Sequence, residues 1–101
     1  MYPEIQNKLN ELRQICEKFG VLKLELFGSA ANDSFNDSSD LDFLIQLEQR
    51  PPVEYAEAYF SIKNALEDLL HRPVDLVELK AIRNPFFLQA IEKERIVLYA
   101  A

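Results

Sequence analysis

Asp40 and Asp42 stand one residue apart, and a Gly28-Ser29 pair precedes them with ten residues between. In an extended segment, side chains two apart point the same way. Asp40 and Asp42 therefore share one face, while Leu41, Phe43, Ile45 and Leu47 take the other. Carboxylates that close repel, and one takes up a proton unless a cation sits between them. Hard oxygen ligands with positions left open for phosphate oxygens suit Mg²⁺ or Mn²⁺. Gly28 has no side chain to keep a phosphate from the backbone, and Ser29 offers a hydroxyl and an amide. The arrangement suits a metal-bound nucleoside triphosphate. Each half alone says little, since an Asp-x-Asp is more often a solvated strand edge and a Gly-Ser usually just a turn. The spacing gives them weight together.

A third acid, Asp75, sits in Arg72-Pro73-Val74-Asp75-Leu76-Val77, with Val74 and Leu76 facing the other way. A buried carboxylate without a partner is costly, so one is expected. If this strand lies beside the Asp40/Asp42 strand, all three acids share one metal site. Glu78 is a weaker candidate, one step out of phase. A calcium-binding EF-hand is excluded for the Asp/Asn/Ser stretch, because no glycine follows Asp33 or Asp37 where the loop needs one.

The run Leu26-Phe-Gly-Ser-Ala-Ala-Asn-Asp-Ser-Phe-Asn-Asp-Ser-Ser-Asp-Leu-Asp-Phe-Leu-Ile resembles the nucleotidyltransferase superfamily of the DNA polymerase β type. At this length it looks like a minimal nucleotidyltransferase, the antitoxin partner of a HEPN-domain ribonuclease toxin. The resemblance implies transfer of AMP from ATP to a tyrosine of the toxin, with pyrophosphate released. In that scheme Asp40 and Asp42 hold two metal ions, Asp75 completes the catalytic one, and Gly28 and Ser29 bind the phosphate tail. The sequence departs from many relatives in one respect. Basic residues commonly follow the Gly-Ser, whereas this chain has Ala30, Ala31, Asn32 and Asp33. Arg50, Arg72 or a partner would have to supply the missing charge. A binding-only antitoxin that masks its toxin is the alternative. A small-molecule nucleotidyltransferase would need a further helical domain to hold its acceptor.

The elements that must position these residues follow from periodicity. Ile5, Leu9, Leu12, Cys16 and Phe19 predict one first helix ending at Gly20. Leu22, Leu24 and Leu26, alternating with Lys23 and Glu25, predict a strand over 21–27 with one face buried. A short helical turn and polar loop follow from Ala30 to Ser39, then a second strand from Leu41 to Glu48 that Pro51 and Pro52 stop. A helix is expected over 53–70 with Tyr55, Tyr59, Ile62, Leu66 and Leu69 on its apolar face. A third strand runs from Val74 to Leu79. Asn84 before Pro85 marks the start of a last helix that carries Phe87 and Ile91. Ile96 to Tyr99 closes the chain. The order α-β-loop-β-α-β-α-β gives an α/β (α+β) fold, an open mixed sheet with helices packed on it.

One domain over residues 1–101 is expected from length. Net charge is −6, from 17 acids and 11 bases, which argues against holding nucleic acid directly and for a basic protein partner. No run is apolar enough to span a membrane, Met1-Tyr2-Pro3-Glu4 lacks the features of a secretion signal, and a single cysteine suits a reducing cytoplasm. Cys16 reads as core and His71 as a cation near a helix end; Tyr99 carries no clear role.

Overall fold

A computed structural model describes residues 2–31, 40–92 and 94–101. Proline opens three of its helices, at the one place where a missing N–H leaves no hydrogen bond unmade. These are α1 (Pro3–Asn7), α3 (Pro52–Leu70) and α4 (Pro85–Glu92), with α2 (Leu9–Lys18) between the first two. At α4 the Asn84 Oδ1 accepts from the Phe86 N–H at 2.9 Å, the cap expected from sequence. The strands are β1 (Val21–Phe27), β2 (Leu41–Leu47), β3 (Val74–Glu78) and β4 (Ile96–Ala100).

The expected single first helix is two. It breaks at Lys8, whose side chain reaches away to donate to the Leu69 carbonyl at 2.7 Å. That carbonyl lies in the last turn of α3, where no helical N–H remains to satisfy it. Gly20 takes the expected left-handed turn after α2, at φ +72°.

The four strands form one mixed sheet in the order β3-β2-β1-β4. β1 pairs antiparallel with β2 and β4, and β2 pairs parallel with β3 through the α3 crossover. Alternation sends side chains to two differently covered faces. Leu24 and Leu26 of β1, Leu41, Phe43 and Ile45 of β2, and Val74 and Leu76 of β3 join Leu12, Ile62, Leu66 and Leu70 of α2 and α3 in the main core. The opposite face carries a smaller cluster of Phe27, Leu44 and Ile91, flanked by Val77 and Leu88.

That second cluster overturns one expectation about β1. Glu25 is buried, not solvated, with its carboxylate 2.9 Å from Lys23 Nζ and 3.4 Å from Arg95 Nε. Leu22, expected in the core, is exposed instead, because the register slips between Val21 and Lys23. A bulge of this kind turns a side chain to the other face. The polar loop expected between Ala31 and Asp40 lies outside the described residues. Among the described residues no helix is long and apolar enough to cross a membrane.

Candidate active site

Phe27, Asp42 and Asp75 form one row across three strands: Phe27 is the register partner of Asp42, and Asp42 of Asp75. The row is the parallel pairing's consequence, since β2 and β3 run side by side and start together, with the Leu41 N–H donating to the Pro73 carbonyl at 3.1 Å. All three point to the face that α4 covers only in part. Asp42 is half-buried, while Asp40, just before β2, and Asp75, on the outer strand, are exposed. Exposure of Asp75 corrects the sequence reading, which expected a buried carboxylate: β3 is an edge strand, and α4 packs farther along at Leu44 and Phe27.

Burial, then the charge of Asp75, then that of Asp40, pushes the Asp42 carboxyl above its usual range. A divalent cation would relieve the same repulsion, so the donor chemistry fits one. Among the described residues, no three acidic, histidine or cysteine side chains are gathered closely enough to hold a metal ion by themselves.

Gly28 sits against this pair. Its φ is +74°, and a Cβ added there would lie 2.6 Å from Asp42 Oδ2. Glycine is therefore needed twice, for a left-handed backbone and for a carboxylate in van der Waals contact with the main chain. Gly28 to Ala30 make a single 3₁₀ turn closed by the Ala31 N–H on the Gly28 carbonyl at 3.1 Å. The short helical turn expected from Ala30 thus starts earlier, at Gly28. The Ser29 side chain lies outside what the structure describes.

Other named residues fall elsewhere. Glu78 is off the row: it accepts from Tyr55 Oη at 2.8 Å and lies 3.9 Å from Lys80 Nζ. Arg50 caps the end of α2, donating to the Phe19 carbonyl at 2.7 Å. His71 is the left-handed cap of α3, at φ 56°. Cys16 is fully buried. Tyr2 drew no attention in the sequence, yet its N–H donates to the Ala30 carbonyl at 3.0 Å, beside the Gly28 turn.

Comparison with known proteins agrees with this geometry. The family described as nucleotidyltransferase domain matches residues 9–98. A Methanocaldococcus jannaschii protein provisionally named a protein adenylyltransferase is 35% identical over 94 residues, covering 92% of this chain and 93% of the relative. A solved structure provisionally described as a minimal nucleotidyltransferase is 28% identical, covers 95% of each chain and superposes with a TM-score of 0.73. A complex of a tri-AMPylated Shewanella oneidensis HEPN toxin with its MNT antitoxin shares the fold, with a TM-score of 0.62 at 18% identity, over 95% of this chain and 72% of that one.

Proposed function

The chain belongs to the nucleotidyltransferase domain family, and we propose that it transfers AMP from ATP to a tyrosine hydroxyl of a cognate HEPN ribonuclease toxin. The observation that carries this reading is the Asp42–Asp75 pair with Gly28 pressed against Asp42. Asp40, Asp42 and Asp75 are assigned to metal binding and catalysis, and Gly28 and Ser29 to the phosphate tail. Bound Mg²⁺ or Mn²⁺, one ion or two, would activate the acceptor hydroxyl and neutralise the leaving phosphates. The chain's own residues orient. Asp42 and Asp75 fix the nucleotide's position along the strand row, and Gly28 brings the main chain within reach of the phosphates. The acceptor oxygen bonds to the α-phosphorus, the bond to the bridging oxygen breaks, pyrophosphate leaves, and the hydroxyl proton passes to solvent.

The family supplies the transfer chemistry, and the relatives' names supply the type of acceptor. The adenylylated toxin in the Shewanella complex supports a HEPN partner and AMP as the group moved. Net charge of −6 on this chain favours a basic partner through steering. A masking antitoxin without chemistry is the second reading, favoured by Ala30 and Asn32, which stand where many members of the resembled family carry arginine.

One experiment separates the two. The protein is incubated with a cognate HEPN partner, Mg²⁺ and ATP labelled at the α-phosphate. Label on the partner with wild type, and none with Asp42→Ala, supports transfer. An inhibited but unlabelled partner would establish masking.

A further inference from the structure

An aromatic ring lies open beside the carboxylate row. Phe27 is the register partner of Asp42, so antiparallel pairing sets both side chains on one sheet face, about 5 Å apart at Cβ. The Phe87 ring of α4 meets the Phe27 ring edge to face, with centres 6.1 Å apart and planes at 88°. Two successive contacts thus separate the Phe87 ring from Asp42, a reach on the order of 10 Å. The ribose and α-phosphate of a nucleotide bridge a gap of that order.

Packing accounts for only part of Phe87. Ile91, one turn on, is buried with Phe27 and Leu44 and, helped by Leu88, anchors the helix, whereas Phe87 stays 38% exposed. Its position is nonetheless fixed. Asn84 Oδ1 accepts from the Phe86 and Phe87 N–H groups at 2.9 and 3.4 Å. Beyond the other end of α4, Arg95 Nε lies 3.4 Å from the buried Glu25 carboxylate of β1. A ring on a helix held at both ends loses little freedom when a flat ligand covers it. Phe86 is the contrast. It is 78% exposed, but lies with Gln89 and Ala90 along a separate groove on the outer side of α4.

Resting on the nucleotidyltransferase reading, we propose that Phe87 is the stacking platform for the nucleobase, with Phe27 as its positioning residue. Asp42 and Asp75 then take the phosphate end, and α4 the base end, of one nucleotide laid on the part of this sheet face that α4 leaves open.

The test is calorimetric titration of Mg²⁺–ATP, and of Mg²⁺–tripolyphosphate, which has no base, into wild type, Phe87→Ala, Phe87→Leu, Phe87→Tyr and Phe86→Ala. Losing one base–aromatic stack predicts roughly five- to 150-fold weaker ATP binding in Phe87→Ala and Phe87→Leu. Tripolyphosphate binding should change less than about twofold, since it makes no stack. Phe87→Tyr keeps the ring and should keep ATP affinity, and Phe86→Ala should match wild type. Thermal melts identify any variant that fails to fold. Phe87→Leu, which keeps apolar bulk against Phe27, and Phe87→Tyr then carry the comparison. Wild-type ATP affinity in Phe87→Leu, an equal loss in Phe87→Leu and Phe87→Tyr, or a matching loss for tripolyphosphate would each overturn the stacking assignment alone. Wild type that binds no ATP would overturn the nucleotidyltransferase reading together with it.

Discussion

Asp42 and Asp75 are direct register partners on neighbouring parallel strands, although the whole of α3 separates them in the chain. Each approaches the other because β2 and β3 begin at the same level, tied by the Leu41 N–H on the Pro73 carbonyl. Their mutual repulsion is a cost of the apo fold and an asset once a cation is present.

That cost has a sign. A carboxyl whose folded-state value is raised gives stability at low pH and loses it as pH rises through that folded value, which for Asp42 lies above 3.8. Above that folded value and without metal, the repulsion is present. Asp42→Asn should therefore raise the metal-free melting temperature by a few degrees, given that ~1 kcal/mol moves a domain of this size by ~4–8 °C. Added Mn²⁺ with a non-hydrolysable ATP analogue should raise the melting temperature of wild type and leave the variant unmoved. Differential scanning calorimetry reads both.

Gly28→Ala should damage fold and site together. The left-handed backbone costs a side chain roughly 1–2 kcal/mol, and the added Cβ would drive into the Asp42 carboxylate, 2.6 Å away. Chemical denaturation should show that loss, and nucleotide binding should weaken beyond what the remaining folded fraction explains.

Tyr55→Phe serves as a contrast. Tyr55 Oη ties α3 to Glu78 of β3 at 2.8 Å, off the Asp42–Asp75 row. Removing it should lower stability by about 1 kcal/mol while nucleotide affinity stays within error of wild type.

Alkaline pH should expose the core thiol. Burial pushes Cys16 up from 9.0 to about 12, so the folded chain keeps a proton that the unfolded chain releases. Stability should fall as pH rises from 9 towards 12, by at most ~1.4 kcal/mol per pH unit from this group. Cys16→Ala should flatten the urea-midpoint profile over that window, and native Cys16 should resist alkylation at pH 8.

Much of this was legible in the sequence because it rests on short-range rules. Alternation marked the strands, Asn84 before Pro85 marked a cap that the Phe86 N–H confirms, and Gly20 marked a helix end. The pairing of the Asp75 strand with the Asp42 strand was a conditional expectation, and the sheet meets that condition. Long-range contacts were hidden. The break at Lys8 depends on a carbonyl of Leu69. Burial of Glu25 depends on Arg95, with Ile91 of α4 covering the neighbouring Phe27. Exposure of Asp75 follows from strand order, which no period-2 pattern encodes. Tyr2 meets both the Ala30 carbonyl and Arg72 Nε, and neither residue carries a local mark of it.

The most direct measurement is a calorimetric titration of Mn²⁺ into protein preloaded with a non-hydrolysable ATP analogue, for wild type, Asp42→Asn and Asp75→Asn. The carboxylate pair as a shared cation site requires that each substitution weaken Mn²⁺ uptake by at least about tenfold, the worth of one charged ligand contact. Wild-type affinity in Asp75→Asn would contradict it, leaving the two acids as neighbours in the sheet with no common ion.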